Sequence, residues 1–276
     1  MNFSEIDPAR DVGVADGYSI SDRSATDRRQ GISIIFPAFN EEENIKKAVE
    51  HARRAMSKFF TDIEIIVVND GSSDATASII DELAAQQGDV VPVHHEVNRG
   101  YGAALRSGIY KASKELIFFT DSDLQFDLEE IRHLQEWIHK YDIVAGYRAR
   151  RADPAHRRFN AWGWNVLVRL VLGLKIKDID CAFKLFRREV FQNIRLETVG
   201  AMINTEILTL AQRNSMKIKE VPVSHYPRLA GEQTGANFKV ILKALRELFV
   251  MREKLRLRAG EIRRDAVSYK SRYNEL

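Results

Sequence analysis

From residue 32 to residue 146 the chain alternates two kinds of stretch. Short apolar runs occur at 32–36, 63–68, 90–94, 116–120 and 142–146. Between them, apolar residues recur every three or four positions, as in Ile45, Val49, Ala52 and Met56 within 42–58. The runs predict strands and the intervening spacing predicts helices, over 42–58, from Ser73 and Asp74 as caps through Ala84, and over 102–111. Strands without a polar face are covered on both sides, so the predicted fold class is α/β, a mostly parallel central sheet with helices on both faces. Ligands of such sheets gather beyond the carboxyl ends of the strands, where Pro37, Asp70 and Asp121 fall.

Beyond residue 146 the pattern is less regular. Residues 147–158 hold five arginines against one acid, and an apolar helix of about 162–174 follows. A strand with a short helix is expected within 182–196, and another strand over 217–223. A long amphipathic helix is expected from about Asn237, with Phe238, Ile241, Leu242, Leu245, Leu248 and Phe249 on one face and Lys239, Lys243 and Arg246 beside it.

Composition narrows this picture in a few places. At 276 residues and 45% hydrophobic content the chain can build one large domain with a real core. Three segments are expected: a disordered leader over 1–30, a globular domain over 31–235, and a basic helix and tail over 236–276. The leader carries six acids and four bases and has no apolar core of a signal peptide. The single cysteine, Cys181, excludes an intramolecular disulfide and suits a cytoplasmic setting. No apolar run reaches 18 residues, so a spanning helix is not expected. Net charge is +3, but residues 236–276 carry eleven bases against five acids. Such a local excess points to phosphate-rich partners, lipid headgroups or nucleic acid, or to a solvated helix face.

The candidate chemistry centres on Asp121-Ser122-Asp123, which directly follows an apolar strand. Two close carboxylates repel unless a cation lies between them, and oxygen-only ligands suit Mg²⁺ or Mn²⁺ shared with phosphates. His94, His95 and His156 show no partner pattern and are left out of the site.

Four motifs in order then carry a resemblance. Pro37-Ala38-Phe39-Asn40-Glu41, Asn69-Asp70-Gly71-Ser72-Ser73-Asp74, Asn98-Arg99-Gly100-Tyr101-Gly102-Ala103-Ala104 and Asp121-Ser122-Asp123 resemble the motifs of family 2 glycosyltransferases with the GT-A fold, over about residues 31–230. Within that family Gln125, Gly146-Tyr147-Arg148, Asp180-Cys181-Ala182-Phe183-Lys184 and the loop around Arg228 look most like the dolichol-phosphate mannose synthase group, whose members glycosylate polyprenyl phosphates. Cys181-Ala182 departs from the Ser-Gly of many relatives, and the loop 228–234 lacks their usual Gly-x-Ser ending.

The resemblance implies an inverting, metal-dependent hexosyltransferase with a nucleotide-diphosphate sugar as donor and a polyprenyl phosphate as acceptor. Asp121 and Asp123 would hold Mg²⁺ or Mn²⁺, and Pro37, Phe39, Asn40, Glu41, Asp70, Asp121, Ser122 and Gln125 would bind the donor. Glu41 has a second reading as the cap of the following helix, and Gly100 and Gly102 read as close-packing positions. The acceptor phosphate, with a second pKa of about 6, needs charge neutralisation more than a base. Arg148 and Arg228, then Arg158 and Lys184, are its expected ligands, because the guanidinium fork matches phosphate oxygens. Catalytic residues are therefore Asp121, Asp123 and Arg148, with Asp180 near the sugar or metal.

Three alternatives stay open. One is the same fold acting on a hydroxyl of a soluble or cell-envelope glycan, with Asp180 as base. Another is a non-catalytic nucleotide-sugar-binding or scaffold subunit. A nucleotidyltransferase ranks lowest, because no glycine-rich triphosphate loop follows the first strand. No nucleic-acid partner is implied. Peripheral attachment to the cytoplasmic face of a membrane is expected, and the apolar helix and the basic helix touch either that surface, a membrane partner subunit or a second copy.

Overall fold

The computed structural model describes residues 30–151, 155–227 and 245–256, and the side chains of 150–161 are not among those described. Seven strands form one sheet in the order β3-β2-β1-β4-β6-β5-β7. They are β1 Ile32–Ala38, β2 Ile63–Asn69, β3 Val90–His94, β4 Leu116–Phe119, β5 Ile143–Arg151, β6 Lys184–Arg187 and β7 Ile218–His225. β1–β4 pair in parallel, and β7 runs parallel to β5. β6 is the exception, antiparallel to both β4 and β5. The expected mostly parallel α/β sheet is therefore present, with one reversed strand, β6, between β4 and β5.

Burial along each strand follows its place in the sheet. β1 and β4, near the centre, are buried at every residue, whereas β3 at one edge alternates. Phe118 meets Phe183 edge-on at 4.8 Å, and Phe119 stacks on Phe186 at 5.3 Å, fastening β6 in its reversed direction beside β4.

The helices are α1 Ile45–Met56, α2 Thr76–Gln86, α3 Tyr101–Lys111, α4 Ile131–Ile138, α5 Ala155–Leu172, the short α6 Glu189–Gln192, α7 Ile203–Arg213 and α8 over residues 245–256. One face of the sheet packs against α1, α2 and α4 through Val49, Ile80 and Leu134. The other packs against α3, α5, α7 and α8 through Leu105, Val168, Ile207 and Leu248. α4 and α7 are additions to the sequence reading. Nine consecutive residues of α7, Ile203 to Ala211, are buried, its polar Asn204, Thr205, Glu206 and Thr209 included, although Ile203, Ile207, Leu208, Leu210 and Ala211 recur at helical spacing.

α8 is the described part of the expected basic helix, and it packs on this domain. Leu248, Met251 and Leu255 enter the core, Arg213 donates to the Leu255 carbonyl at 2.7 Å, and Lys254 pairs with Glu197 at 2.8 Å. Phe249, placed with Leu248 on one face in the sequence reading, is exposed instead. α5 divides in the same way: Val168 and Leu172 are buried, while Trp162 and Leu170 are 62% and 79% exposed. No helix among the described residues is long and apolar enough to cross a membrane. Residues 1–29, 228–244 and 257–276 lie outside the described residues, and with them the expected leader, Arg228 and the start of the basic helix.

Candidate active site

Because β2 and β4 flank β1 on opposite sides, the chain leaves β1 in one direction and later returns to its other edge. Such a reversal opens a crevice at the carboxyl ends of the strands. A cavity of about 690 Å³ occupies it, lined by Pro37 to Glu41, Asp70, Asn98, Gly100, Tyr101, Ala104 and the Asp121-Ser122-Asp123 run. Of the predicted donor residues, only Gln125 is missing from its wall. Gln125 spans instead to the end of β7, where its side-chain amide donates to the Tyr226 carbonyl at 2.9 Å and its own carbonyl accepts from the Tyr226 amide at 2.8 Å.

The two loops on the β1 and β2 side cap one another. Asn40 accepts from the Ser73 amide at 2.9 Å, while Ser72 Oγ accepts from the Asn40 amide at 3.0 Å. Thr76 Oγ1 accepts from the Glu41 amide at 2.8 Å, and Glu42 accepts from the Ala75 amide at 2.8 Å. The unpaired amides at the starts of α1 and α2 are thus satisfied by each other's loop, which makes the pair rigid without a core of its own. Glu41 lines the cavity, and its carboxylate accepts from the Asn44 side-chain amide at 2.7 Å; the Ile45 amide at the start of α1 is taken by its backbone carbonyl and not by the acid.

Asp70 is almost fully enclosed. Its carboxylate accepts from the Arg99 amide at 2.9 Å, the Gly100 amide at 2.8 Å and His95 Nδ1 at 2.6 Å. It holds the 95–100 loop against the β2 end while facing the cavity. Gly100 (φ +98°) and Gly102 close-pack as expected: a Cβ there would lie 2.6 Å and 2.5 Å from the carbonyl oxygens of Val199 and Gly200.

Asp121 faces the cavity but is otherwise surrounded by protein. That burial, with the charge of Asp123 beside it, pushes its carboxyl up to about 7, while the hydrogen bond from Tyr101 and the charges of Arg148 and Lys184 pull it down. The Tyr101 hydroxyl also faces Asn204 of α7. Asp123 accepts from the Gln125 amide at 3.2 Å across a turn that sets Leu124 at φ +61°, a conformation disfavoured for a branched side chain. Two acids forced together in one wall fit a divalent cation. Among the described residues no cluster of three or more His, Cys, Asp or Glu occurs, and Mg²⁺ and Mn²⁺ are cations that accept one or two carboxylates beside phosphate oxygens and water.

The expected acceptor residues are placed differently. Arg148, at the edge of a bulge in β5 between Arg148 and Arg150, makes a bidentate pair with Asp178, both contacts at 2.7 Å and both side chains nearly buried. Lys184, expected to meet a phosphate, turns inward instead: with no exposure, its ammonium donates to the carbonyls of Ile179 at 3.1 Å and of Cys181. That burial lowers its pKa. It ties down the 179–181 turn, which carries the half-buried Asp180, and the Cys181 thiol beside it is pushed up to about 12 by burial. Glu206 likewise serves a loop, accepting the Glu197 and Thr198 amides. The side chain of Arg158 and all of Arg228 lie outside the described residues.

His95, left out of the site for want of a partner pattern, has two partners, Asp70 and Ser107; Tyr101 entered only as part of the third motif, and Asn204 not at all. The β2–β3 register offered the signal for His95: Asn69 pairs with His94, so the next residues, Asp70 and His95, emerge side by side.

Residues 33–195 match the family model described as glycosyl transferase family 2. The chain is 33% identical over 71% of its length to "Glycosyltransferase AglD" of Haloferax volcanii, and spans 33% of that protein. It is 30% identical over 82% of its length to the dodecaprenyl-phosphate galacturonate synthase of Rhizobium johnstonii, of which it spans 68%. In three dimensions it is similar to the glucosyl-3-phosphoglycerate synthase of Mycobacterium tuberculosis, solved with Mn²⁺, uridine diphosphate and phosphoglyceric acid. The TM-score is 0.60 at 20% identity, covering 85% of this chain and 84% of the other. With its mixed seven-stranded sheet and four ordered motifs, the chain belongs to glycosyl transferase family 2 and has the GT-A fold.

Proposed function

We propose that this chain is an inverting, metal-dependent enzyme that moves a sugar from a nucleotide-diphosphate sugar to a polyprenyl phosphate. The observation that carries the proposal is the single cavity into which β1, β2 and β4 deliver Pro37, Asp70, Asp121 and Asp123. The polyprenyl-phosphate substrate in the name of the Rhizobium relative supports the acceptor, and the Mn²⁺ and uridine diphosphate of the mycobacterial structure support the donor and the cation.

Asp121 and Asp123 would hold Mg²⁺ or Mn²⁺. When bound, the cation would offset the charge that develops on the departing diphosphate. Phe39, Asn40, Glu41 and Asp70 wall the nucleoside end, Ser122 ties the metal turn to β1 through the Pro37 carbonyl, and Tyr101 keeps Asp121 aimed at the cavity. An acceptor phosphate oxygen attacks the anomeric carbon on the face opposite the diphosphate. The new carbon–oxygen bond forms as the old one breaks, and its electron pair leaves with the nucleoside diphosphate. A dianionic acceptor needs no base, only placement. Arg148 would contribute its field from within the Asp178 pair, and Arg158 and Arg228 would be the direct phosphate ligands. Asp180 stays the candidate base for a hydroxyl acceptor.

Exposed Trp162 and Leu170 on α5 and Phe249 on α8, with the basic residues of 236–276, support contact with an anionic membrane surface. Incubation with UDP- and GDP-sugars, Mn²⁺ and a polyprenyl phosphate should yield a lipid-linked sugar, and a chelator should stop it. Transfer only to a glycan hydroxyl, or to nothing, would overturn the assignment. Co-sedimentation with anionic liposomes, absent with neutral ones, checks the membrane contact.

A further inference from the structure

We propose that His95 is a positioning residue of the nucleotide pocket, bracing Asp70 and, through it, the 98–100 wall. The proposal rests on the donor reading above and adds to it a group that touches no substrate.

The geometry is a chain of four links. Ser107, on α3, lies 2.9 Å from His95 Nε2, and His95 Nδ1 lies 2.6 Å from Asp70 Oδ1. Asp70 Oδ1 and Oδ2 then accept the Arg99 and Gly100 amides. A carboxylate cannot donate, so Nδ1–H donates to Asp70, and Nε2 is bonded to the Ser107 hydroxyl, which can either give or take a proton in that bond. His95 and Asp70 are only 8% and 3% exposed, so water does not substitute for these bonds. The backbone closes the frame: the Asp70 amide donates to the Ala38 carbonyl at 2.8 Å and the His95 amide to the Asn69 carbonyl at 2.9 Å.

The loop held this way lies flush against the turn beneath it. At Gly71, φ is +69° and a Cβ would come within 2.4 Å of the Val97 carbonyl carbon. Asn98 and Gly100 from this loop line the cavity together with Asp70, so a rotation of the Asp70 carboxylate moves part of the wall. Ser, His and Asp in this order also serve nucleophilic catalysis. Ser107 is not placed for it: mid-helix in α3, it has no spare backbone amides nearby to receive an oxyanion. The arrangement is a brace.

The two carboxamide replacements of His95 separate the links. His95→Asn keeps a donor near Nδ1 and abandons Ser107. His95→Gln keeps a group near Nε2 and abandons Asp70. Binding of UDP and GDP in the presence of Mn²⁺ is measured by calorimetry, and hydrogen exchange at the Arg99 and Gly100 amides is measured without ligand. His95→Gln should weaken binding of the preferred nucleotide about tenfold, the scale of one hydrogen bond to a charged group, and accelerate exchange at both amides. His95→Asn should restore most of both. Should His95→Gln fail to fold, Ser107→Ala carries the same two readouts, with a smaller shift of the same sign. Equal effects of Asn and Gln, or wild-type exchange in the Gln variant, would overturn the brace while leaving the donor reading intact. A wild-type protein that binds neither nucleotide would overturn the donor reading and, with it, the role of the brace.

Discussion

The two halves of the candidate site are built on opposite principles. On the donor side, polar groups at the ends of β1, β2 and β4 are held by backbone amides from neighbouring loops, and they still face a cavity of about 690 Å³. On the expected acceptor side, the charges among the described residues are spent on one another or on the backbone: Arg148 on Asp178, and Lys184 on the carbonyls of the 179–181 turn. A donor half preorganised by amides needs no large motion to receive a nucleotide. The described charges of the expected acceptor half, Arg148 and Lys184, are paired within the protein and orient loops more than they present themselves to a ligand. Charge in a sequence marks a candidate anion site, but burial decides whether that charge is available.

This contrast can be broken at several points. The largest expected effect is Asp123→Ala, which should reduce sugar transfer by more than about a hundredfold while leaving the melting temperature near the wild-type value. A large loss of stability instead would make Asp123 a structural turn residue. Next comes Asp178→Ala, which strands Arg148 in a nearly buried position and should lower unfolding free energy by about 3–5 kcal/mol in urea titration. Little change there would mean that Arg148 can leave the pair and reach a phosphate, making the acceptor half as open as the donor half.

Lys184→Met keeps the volume and removes the donor to two buried carbonyls, so it should cost about 1–3 kcal/mol by the same measurement. Unchanged stability with lost transfer would return Lys184 to the phosphate ligands. The smallest effect is expected of Tyr101→Phe. It frees Asp121 from one hydrogen bond and should slow transfer by about fivefold with little change in fold stability, as followed by steady-state rates.

Much of the donor half was legible because its signals are local. Apolar runs ending in Pro37, Asp70 and Asp121 announce strands and their ends, and the Asp-x-Asp spacing needs only one turn. β6 and α7 were less legible for a physical reason. Nothing in Lys184–Arg187 records that it runs antiparallel, since direction is decided by what β4 and β5 offer on either side. α7 has apolar residues at helical spacing, but its burial on all sides, polar Asn204, Thr205, Glu206 and Thr209 included, is decided only by what packs around it. Arg148 and Lys184 were read as anion ligands because a sequence shows a charge without its partner. Asp178 lies thirty residues from Arg148, and the carbonyls that hold Lys184 leave no trace in side-chain identity.

The sequence by itself determined the family, the sheet with its two covered faces, and the acid pair at a strand end. The family comes from the resemblance of its four motifs; the sheet and the acid pair follow from periodicity and short-range spacing, which the backbone's own geometry converts into strands, helices and turns. Tertiary structure alone decided which charges face the cavity and which are consumed within the protein. It also joined His95, Asp70 and Ser107, because parallel neighbours carry residues far apart in the chain to the same end of the sheet. Once water is excluded there, a polar group must find its partner among whatever the fold has placed beside it.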